Sequence, residues 1–494
     1  MTSVLLRSLD RHARERPNEL AVREVGESGI ERELTWRQLR DAACRLGTLL
    51  ARSGRDEVLM IQSHNRAELL AGILGGLWAN AAVLPVSPDL PVAPLVETAR
   101  RCGVSSLITE EPTLGALAGE IARRVPFGSI DFDEPAGAME PPPSAGGAIL
   151  LQSSGTTGAP KIARRPAAAL DAVGETCSRA IGMNARDAML LCIPLYHSYA
   201  IDHGVLAAIV AGCAVELHRR FDPPLARAAL AAGRISILPA VPVMLDALAR
   251  VARGHGAAPA LRRAYSAGSP LPRRIFDRFE QAYRTPVGQF YGTSEFGSVT
   301  FNDPDARDFV PEAVGRPLGG VEIRILDTTQ PRRDRPLPVG SEGHVAVASP
   351  SMLSGYVDGE CPIVDGFLLT GDLGRLDAGG TLTLTGRLKL LIDVGGLKVN
   401  PLEVEAVLMR HPAVREAVTL ELPYSDTTSR LKAIIIPEDD REVGGEELQR
   451  FAREQLIHYK VPRVFEIRKT VPRSPTGKIL REELQRALFT EEQP

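Results

Sequence analysis

Short apolar runs alternate with segments of helical periodicity along the chain before about residue 310. Thr35-Trp36-Arg37-Gln38 has the spacing of a capping box, and the apolar positions after it recur every three or four residues. This pattern predicts an amphipathic helix over residues 36–52. Other helical segments separate short predicted strands at residues 58–61, 83–86, 106–108, 148–151, 189–193 and 235–238. The alternation predicts an α/β protein with mainly parallel sheets.

After about residue 310 the pattern becomes that of antiparallel strands. Runs at residues 321–326 and 343–347, and a hairpin of residues 374–376 with 381–384, predict a small β subdomain. The Pro- and Arg-rich residues 330–340 between two of these strands are interpreted as an exposed loop.

The pattern changes again near residue 390. Asn400-Pro401-Leu402-Glu403 supplies an N-cap, a proline at the first helical position and a capping glutamate, which predicts a helix start. A strand at residues 433–436, a helix at residues 446–457, a further strand and a final helix from Arg481 complete a predicted α+β domain.

Composition narrows the classes of function. The formal net charge is -3, from 58 basic and 61 acidic residues, which gives no electrostatic footprint for nucleic acid or for an anionic membrane surface. Charged residues interrupt positions 1–20, so no secretory signal is expected. The most apolar segment, residues 69–84, is too short for a membrane span and is interpreted as a buried helix leading into a core strand. The cysteines lack any Cys-x-x-Cys pair, which predicts neither a zinc knuckle nor a disulfide framework, and we expect a cytoplasmic protein.

Lysine is rare in this chain: it accounts for seven of the 58 basic residues, and Lys161 is the only lysine before residue 389. Because guanidinium and ammonium groups differ in shape and hydration, a lysine retained in such a chain indicates a need for a compact point charge. Lys161 closes the segment Ser153-Ser154-Gly155-Thr156-Thr157-Gly158-Ala159-Pro160-Lys161, which follows a predicted strand.

The composition of residues 153–161 favours phosphate binding. Its glycines let backbone N–H groups approach an anion, and its hydroxyls add donors with little bulk. An ordinary polar turn accounts for the serines and glycines but not for Lys161. A Walker A loop requires Ser or Thr after the lysine, and Ile162 stands there, so an ordinary P-loop ATPase is disfavoured.

The segment resembles the phosphate-binding signature of the acyl-adenylate-forming superfamily, which includes acyl- and aryl-CoA ligases, peptide-synthetase adenylation domains and luciferases. Further segments similar to family motifs follow in order over essentially the whole chain: Ser266–Leu271, Tyr291–Glu295, Thr370–Asp372, Gly386–Lys389 and Pro475–Lys478. The resemblance implies ATP-dependent activation of a carboxylic acid to acyl-AMP with release of pyrophosphate, followed by transfer to a thiol. Stand-alone acyl- or aryl-CoA ligases are the closest match.

The resemblance also implies roles for single residues. Glu295 would hold Mg²⁺ against the phosphates, consistent with a hard carboxylate ligand for a hard cation, and the hydroxyl of Thr293 or Ser294 would contact the α-phosphate. The family usually has threonine at the position of Ser294, and the retained hydroxyl is expected to preserve function. Asp372 would accept hydrogen bonds from both ribose hydroxyls, and Arg387 would add a second contact, to the ribose or to a phosphate. The other residues implied to bind ATP or AMP are Ser153, Ser154, Gly155, Thr156, Thr157, Gly158, Lys161, Gly268, Ser269, Tyr291 and Gly292.

Lys478 resembles the mobile catalytic lysine, which neutralises charge between the carboxylate and the α-phosphate. In family terms the chain divides into a large domain (1–386), a hinge (387–389) and a small mobile domain (390–494). The large domain would contain two α/β subdomains and the β subdomain. Lys389 occupies the hinge position, where backbone torsions would rotate the small domain between adenylation and thioester formation.

After the rotation, Gly395, Gly396, Leu397 and Lys398 would line the approach of the thiol. The paired glycines suit a thiol arm that passes close to the backbone. Plant coumarate ligases carry lysine where this chain has Asp393 and glutamine where it has Lys398.

The acid is predicted from the segment around His197. Amino-acid-activating relatives place an aspartate there for the substrate's ammonium group, so an α-amino acid is not expected. His197 would instead gate the pocket behind the carboxylate, as an aromatic residue commonly does there in CoA ligases. Phe296 stands where many relatives have alanine, which would shorten the pocket and favour a compact, aromatic acid. The implied pocket residues are Tyr196, His197, Ser198, Val241, Ala267, Gly268 and Phe296.

Coenzyme A is the expected acceptor, since the chain leaves no room for a fused carrier domain. A separate acyl carrier protein with a phosphopantetheine arm is the alternative, because the same thiol chemistry serves both. A non-catalytic nucleotide sensor is disfavoured because Glu295, Asp372 and Lys478 are all retained. A luciferase-like oxygenase is a third interpretation, and light or oxygen consumption with ATP would reveal it.

Overall fold

The structure is a computed structural model. It describes the chain except for residues 1–2, 52–56, 111–120, 122, 138–141, 143–145, 153–160, 253–255, 257, 333–334, 360–362, 395–396, 426–427, 440, 476 and 492–494. Three sets of sequence predictions therefore fall outside the described residues: the predicted phosphate-binding residues Ser153, Ser154, Gly155, Thr156, Thr157 and Gly158; the paired glycines Gly395 and Gly396; and Thr476 of the last motif.

The helices of the described residues are α1 (Val4–Glu15), α2 (Trp36–Ala51), α3 (Ala67–Trp78), α4 (Val92–Cys102), α5 (Ala167–Ala180), α6 (Ser198–Ala200), α7 (Ala208–Ala211), α8 (Pro223–Ala231), α9 (Pro242–Val251), α10 (Arg273–Tyr283), α11 (Pro401–Leu408), α12 (Gly445–Gln455) and α13 (Arg481–Glu491). A π-helical segment, Ile201–Ala207, joins α6 to α7. Short 3₁₀ turns occupy Phe127–Ser129, Leu388–Leu390 and His458–Lys460.

The strands in the first part of the chain are β1 (Leu20–Gly26), β2 (Gly29–Thr35), β3 (Val58–Gln62), β4 (Ala82–Val86), β5 (Ser106–Thr109), β6 (Arg123–Pro126), β7 (Ala148–Gln152), β8 (Ile162–Pro166), β9 (Ala188–Leu191), β10 (Ala214–His218), β11 (Ile237–Ala240), β12 (Arg263–Ser266), β13 (Val287–Thr293), β14 (Gly297–Asn302) and β15 (Arg316–Pro317). Those that follow are β16 (Glu322–Leu326), β17 (Gly343–Ala348), β18 (Gly355–Tyr356), β19 (Ile363–Val364), β20 (Phe367–Leu376), β21 (Leu382–Arg387), β22 (Ile392–Val394), β23 (Leu397–Val399), β24 (Val414–Ser425), β25 (Thr428–Pro437) and β26 (Val464–Ile467).

The chain forms two compact units. The larger unit comprises Met1–Glu322 and Ala348–Pro362, and the smaller unit comprises Ile323–Val347 and Ile363–Pro494. The strands of the predicted β subdomain lie in the smaller unit together with the C-terminal residues. The domain boundaries predicted on either side of the hinge, at residues 386 and 390, both lie within the smaller unit. That a domain moves about this hinge stays a prediction.

Two sheets form the framework of the larger unit. Sheet I has the strand order β15-β14-β13-β12-β11-β9-β10-β1-β2, and sheet II has the order β18-β8-β7-β4-β3-β5-β6. The inner strands of both sheets are parallel, whereas β14, β15, β2, β8 and β18 pair antiparallel at the edges. The prediction of an α/β protein with mainly parallel sheets is confirmed.

Local sequence signals account for several element boundaries. The N–H of Thr35 donates to Gln38 Oε1 at 2.9 Å and the N–H of Gln38 donates back to Thr35 Oγ1 at 3.3 Å, which is the predicted capping box at the start of α2. Every residue of α3 is buried, including Glu68, which agrees with the buried helix predicted at the start of residues 69–84. None of the described helices combines the length and the apolar character that crossing a bilayer requires.

The smaller unit contains three sheets. Sheet III has the order β16-β17-β20-β19, with β21 also paired to β20, sheet IV is β24-β25-β26, and β22 and β23 form a separate hairpin. Asn400 Oδ1 accepts from the N–H of Leu402 at 3.1 Å and Pro401 follows it, so the predicted start of α11 is confirmed. The carboxylate of Glu403, predicted to cap this helix, instead accepts from Lys460 Nζ at 2.7 Å.

Candidate active site

Glu295 lies in the turn that joins β13 to β14 in the larger unit. Its N–H donates to Thr293 Oγ1 at 3.2 Å, which fixes the start of the turn. A Cβ atom added to Gly292 would lie 2.3 Å from the carbonyl oxygen of Gly297, so only glycine allows the two strands to approach this closely. The motif glycine thus has a packing role within the hairpin.

Residues 351–357, which we call the bridging segment, connect this turn to sheet II. The N–H of Leu353 donates to the carbonyl of Glu295 at 2.7 Å. Farther along, the N–H of Val357 donates to the carbonyl of Ile162 at 2.9 Å, and Tyr356 pairs with Ala163 across β18 and β8. The backbone around Glu295 and the backbone after Lys161 are therefore tied to the same short segment.

The side chain of Tyr356 contacts both charged groups. Its hydroxyl donates to Glu295 Oε1 at 3.2 Å. Lys161 Nζ lies 4.7 Å from the centroid of its ring, within the range of a cation–π interaction. The structure thus brings together Lys161 and Glu295, two residues predicted from separate motifs, and adds Tyr356, which the sequence analysis missed. A Gly-Tyr pair after an apolar run carries no signal of such a role in a single sequence.

The ends of the predicted phosphate-binding segment are described, although residues 153–160 are not. Gln152 at the end of β7 pairs with Ile162 at the start of β8 in an antiparallel ladder. Lys161 therefore leads into a strand, whereas the lysine of a P-loop opens a helix. This arrangement agrees with the distinction from a Walker A loop made on sequence.

Several predicted pocket residues follow the carboxyl ends of parallel strands of sheet I. Val241 and Ala267 are buried directly after β11 and β12, and the N–H of Ala267 donates to the carbonyl of Ala240 at 3.3 Å. A Cβ atom at Gly268, which has a φ of +84°, would lie 3.8 Å from Val241 Cγ1, so these two residues are neighbours. Crevices at the carboxyl ends of such strands are the usual ligand sites of open α/β sheets.

The aromatic pocket residues divide into two groups. Tyr196 and His197 lie after β9 with their ring centroids 5.6 Å apart, and burial raises the pKa of the Tyr196 hydroxyl. Tyr291 and Phe296 pack edge to face at 5.9 Å, and Phe296 is fully buried. Ser198 and Ser294 are half-buried and Ser269 is exposed. The assignment of these residues to a pocket wall stays a prediction.

A buried ion pair that the sequence analysis missed lies directly behind the Glu295 turn. Arg165 Nη1 donates to Asp202 Oδ1 at 2.7 Å, and both side chains are at most 2% exposed. Asp202 Oδ2 accepts from the N–H of Ser298 at 3.1 Å, and Ser298 Oγ lies 3.1 Å from His203 Nε2. Burial lowers the pKa of His203 to about 3, so its imidazole is neutral. No pattern in the sequence indicated that Arg165 and Asp202 would form an ion pair.

In the smaller unit, Asp372 and Arg387 face each other across β20 and β21. Arg387 Nε donates to Asp372 Oδ1 at 2.5 Å, and the Asp372 side chain is 7% exposed whereas that of Arg387 is 36% exposed. The N–H of Asp372 donates to Thr370 Oγ1 at 3.0 Å, which fixes the bend at Gly371. Asp372, predicted to bind the ribose, and Arg387, predicted to contact the ribose or a phosphate, are therefore direct neighbours.

Lys478 lies close to this pair. Burial lowers the pKa of the Lys478 ammonium, the neighbouring Arg387 lowers it further, and Asp372 opposes the shift. The lysine is carried by a tight turn, in which its N–H donates to Ser474 Oγ at 3.1 Å and its carbonyl accepts from the N–H of Ser474 at 2.8 Å. Asp372, Arg387 and Lys478, predicted from three separate motifs, thus meet within one unit.

The predicted hinge and thioester residues lie elsewhere in the smaller unit. Lys389 is exposed in the 3₁₀ turn Leu388–Leu390. Asp393 and Lys398 are cross-strand partners in the β22–β23 hairpin, and their charged groups lie 2.9 Å apart. This ion pair supplies a physical reason for the departure from the coumarate ligases, because the two substitutions are complementary in charge. Leu397 is exposed on the same hairpin.

Comparison with known proteins gives matches along nearly the whole chain. The model of the AMP-binding enzyme family matches residues 9–357, and that of the AMP-binding enzyme C-terminal domain matches residues 403–478. The chain is 29% identical to a feruloyl-CoA synthase of Amycolatopsis sp, over 96% of this chain and 97% of that protein. It is 27% identical to a 2-succinylbenzoate–CoA ligase of Bacillus licheniformis, over 92% and 95%. Its fold is similar to that of ATP-bound MatB from Rhodopseudomonas palustris, with a TM-score of 0.90 at 22% identity over 100% of both chains.

Proposed function

The chain belongs to the family of AMP-binding enzymes, and from this premise we propose that it is an AMP-forming acid–CoA ligase. A carboxylate oxygen of the acid attacks the α-phosphorus of ATP, the bond to the bridging oxygen breaks, and pyrophosphate leaves. The thiol of coenzyme A then attacks the acyl carbonyl of the acyl-AMP, loses its proton, and AMP leaves. The observation that carries the proposal is the contact of Lys161 and Glu295 with the same tyrosine, because both steps require fixed charges around the phosphates.

In this proposal, Lys161 and Glu295 bind the phosphates of ATP, Lys161 directly and Glu295 through Mg²⁺. The ammonium of Lys161 meets phosphate oxygens directly, as a compact charge does best. Among the described residues, no group of three or more His, Cys, Asp or Glu side chains forms a complete metal site. Glu295 as a single carboxylate fits Mg²⁺, which proteins commonly hold through one or two carboxylates together with substrate phosphates. The bound ion would offset negative charge on the phosphates. Thr293 and Ser294, beside Glu295, place hydroxyls for the α-phosphate.

Asp372, Arg387 and Lys478 act on the nucleotide from the smaller unit. The buried carboxylate of Asp372 accepts hydrogen bonds from the ribose hydroxyls, and Arg387 orients this carboxylate through its own hydrogen bond. Lys478 stabilises the charge that develops as the carboxylate attacks the α-phosphorus. The proposed alternation of the small domain about Lys389 then presents the β22–β23 hairpin to the thiol.

The proposed substrate is a compact aromatic acid without an α-amino group. His197 occupies the position at which an ammonium-binding aspartate would be expected, and the predicted pocket residues Val241, Ala267 and Phe296 are apolar and buried in the larger unit. The feruloyl-CoA synthase and 2-succinylbenzoate–CoA ligase named above support this class. Since ATP and coenzyme A are the co-substrates, we propose the cytoplasm as the location.

Pyrophosphate release tests the proposal. The chain is incubated with ATP and Mg²⁺ and a panel of benzoates, cinnamates and short to long fatty acids, with and without coenzyme A. Acid-dependent release that becomes multiple turnovers only with coenzyme A is the expected result. A single stoichiometric burst that coenzyme A does not change would favour a separate acyl carrier protein as the acceptor. Absence of acid-dependent release across the panel would refute the ligase assignment for these acids.

A further inference from the structure

Tyr356 occupies the space between two charged groups that the proposed reaction uses. Its hydroxyl donates to Glu295 Oε1 at 3.2 Å, and Lys161 Nζ lies 4.7 Å from its ring centroid. We propose that Tyr356 is a positioning residue that sets the separation and orientation of the Glu295 carboxylate and the Lys161 ammonium for Mg²⁺-bound ATP. The inference rests on the proposed function and adds a residue that none of the sequence motifs includes.

The backbone holds Tyr356 from both sides. Pairing with Ala163 and the adjoining bond from the N–H of Val357 to the carbonyl of Ile162 fix it against the strand that follows Lys161. The bond from the N–H of Leu353 to the carbonyl of Glu295 fixes the same segment against the Glu295 turn. Because a tyrosine side chain has only two main torsions, a backbone anchored at both ends leaves its hydroxyl little freedom.

A neutral aromatic side chain suits this position for an electrostatic reason. A carboxylate placed between the two groups would pair with Lys161 and repel Glu295, and a cation would do the reverse. The phenol hydroxyl bonds the carboxylate, and the electron-rich face of the ring attracts the ammonium, yet neither contact adds a charge. Tyr356 therefore adds no charge that would compete with the metal or the phosphates for either group.

The hydroxyl and the ring can be tested separately by calorimetric titration of ATP into the whole protein without the acid, so that no turnover occurs. Tyr356→Phe keeps the ring and removes the hydrogen bond to Glu295. We expect it to weaken ATP binding about tenfold in the presence of Mg²⁺, the scale of a hydrogen bond to a charged group, and to leave binding without Mg²⁺ unchanged. Glu295→Gln should show the same selective loss, since it removes the charge that the hydroxyl orients.

Tyr356→Leu removes the ring as well. We expect it to weaken ATP binding by a further factor of about three, equally with and without Mg²⁺, because the aromatic face no longer attracts the Lys161 ammonium. Tyr283→Phe is the matched control: the buried Tyr283 hydroxyl of the larger unit donates to the carbonyl of Leu248 at 3.2 Å, and its removal should change neither affinity. Thermal unfolding of each variant verifies that the fold is retained.

The outcomes separate this inference from the function on which it rests. Selective loss of the Mg²⁺-dependent affinity in Tyr356→Phe supports the positioning role. Unchanged ATP binding in Tyr356→Phe, or an equal loss with and without Mg²⁺, overturns the positioning role. The ligase assignment is then unaffected, provided that the wild-type protein binds ATP. A wild-type protein that binds no ATP under either condition overturns both.

Discussion

The charged residues proposed to act on ATP are held in different ways in the two units. In the larger unit, backbone hydrogen bonds between distant strands hold Lys161 and Glu295 through the bridging segment. In the smaller unit, the backbone of Lys478 is bonded to Ser474 through both its N–H and its carbonyl. Strand pairing thus restrains the backbone beside Lys161 and Glu295 within the larger unit, whereas Lys478 belongs to residues 390–494, the domain that is proposed to move.

Replacement of Lys478 should produce the largest effect and tests the lysine carried by the domain that is proposed to move. Lys478→Ala removes a charge aimed at the α-phosphate, and we expect acyl-AMP formation to fall by about a thousandfold, on the order of 4 kcal/mol. Thioester formation from supplied acyl-AMP should be spared. Lys469→Ala, at an exposed lysine of the same unit, is the control and should leave both half-reactions unchanged. Equal loss of both half-reactions in Lys478→Ala would refute the assigned role.

The stability of the smaller unit, which carries Lys478, should depend on the buried carboxylate of Glu405. Glu405 is 5% exposed and accepts from Arg481 Nη1 at 2.7 Å and from the N–H of Thr419 at 2.6 Å, which ties α13 to α11 and β24. Glu405→Ala leaves these donors without their carboxylate and should lower the free energy of unfolding by about 3 kcal/mol. Chemical denaturation followed by circular dichroism measures it.

Glu403→Ala provides the matched control on the same helix. The carboxylate of Glu403 is 44% exposed and pairs with Lys460, so its loss should cost less than about 1 kcal/mol. Equal free energies of unfolding in Glu405→Ala and Glu403→Ala would show that the Glu405 contacts add no special stability to the smaller unit.

Lys389→Pro tests whether residues 390–494, which carry Lys478, move as a domain. Proline fixes φ and removes an N–H, so the 3₁₀ turn should lose the torsional freedom that domain alternation requires. We expect overall turnover and the thioester step to fall about tenfold, roughly 1.4 kcal/mol of barrier, while acyl-AMP formation continues. Lys389→Ala separates the side chain from the backbone, since a loss of the same size there would assign the effect to the ammonium group. Normal overall turnover in Lys389→Pro would refute alternation at this position.

The pH dependence of adenylation should give the smallest effect. Because burial and Arg387 lower the pKa of Lys478, its protonated form is lost as the pH rises through a value below that of an ordinary lysine. The kcat/KM for ATP, which reports groups of the free enzyme, should therefore decline on the alkaline side earlier than a solvated lysine would allow. Lys478→Arg stays charged there and should move the decline to higher pH. An identical alkaline decline in Lys478→Arg would assign the titration to another group.

The sequence alone was sufficient for the features that depend on near neighbours. The capping box at Thr35 and the cap at Asn400 were predicted to the residue, because side-chain oxygens and proline act on the backbone within one turn. The start of α13 at Arg481 was also predicted to the residue. The predicted strand 189–193 ends two residues earlier, at Leu191, and the predicted strand 235–238 is displaced by two residues at both ends, since β11 spans Ile237–Ala240. Family membership, shown by the match over residues 9–357, also followed from ordered motifs.

Only the tertiary structure decided which side chains meet. Tyr356 reaches Glu295 and Lys161 because two sheets are tied together by one segment, and Arg165 meets Asp202 because β8 passes the π-helical segment. Glu403 pairs with Lys460 instead of capping its own helix. Periodicity specifies the buried face of each element, whereas contacts between elements depend on the register and packing of distant strands. The positioning tyrosine and the buried ion pair belong to this second class.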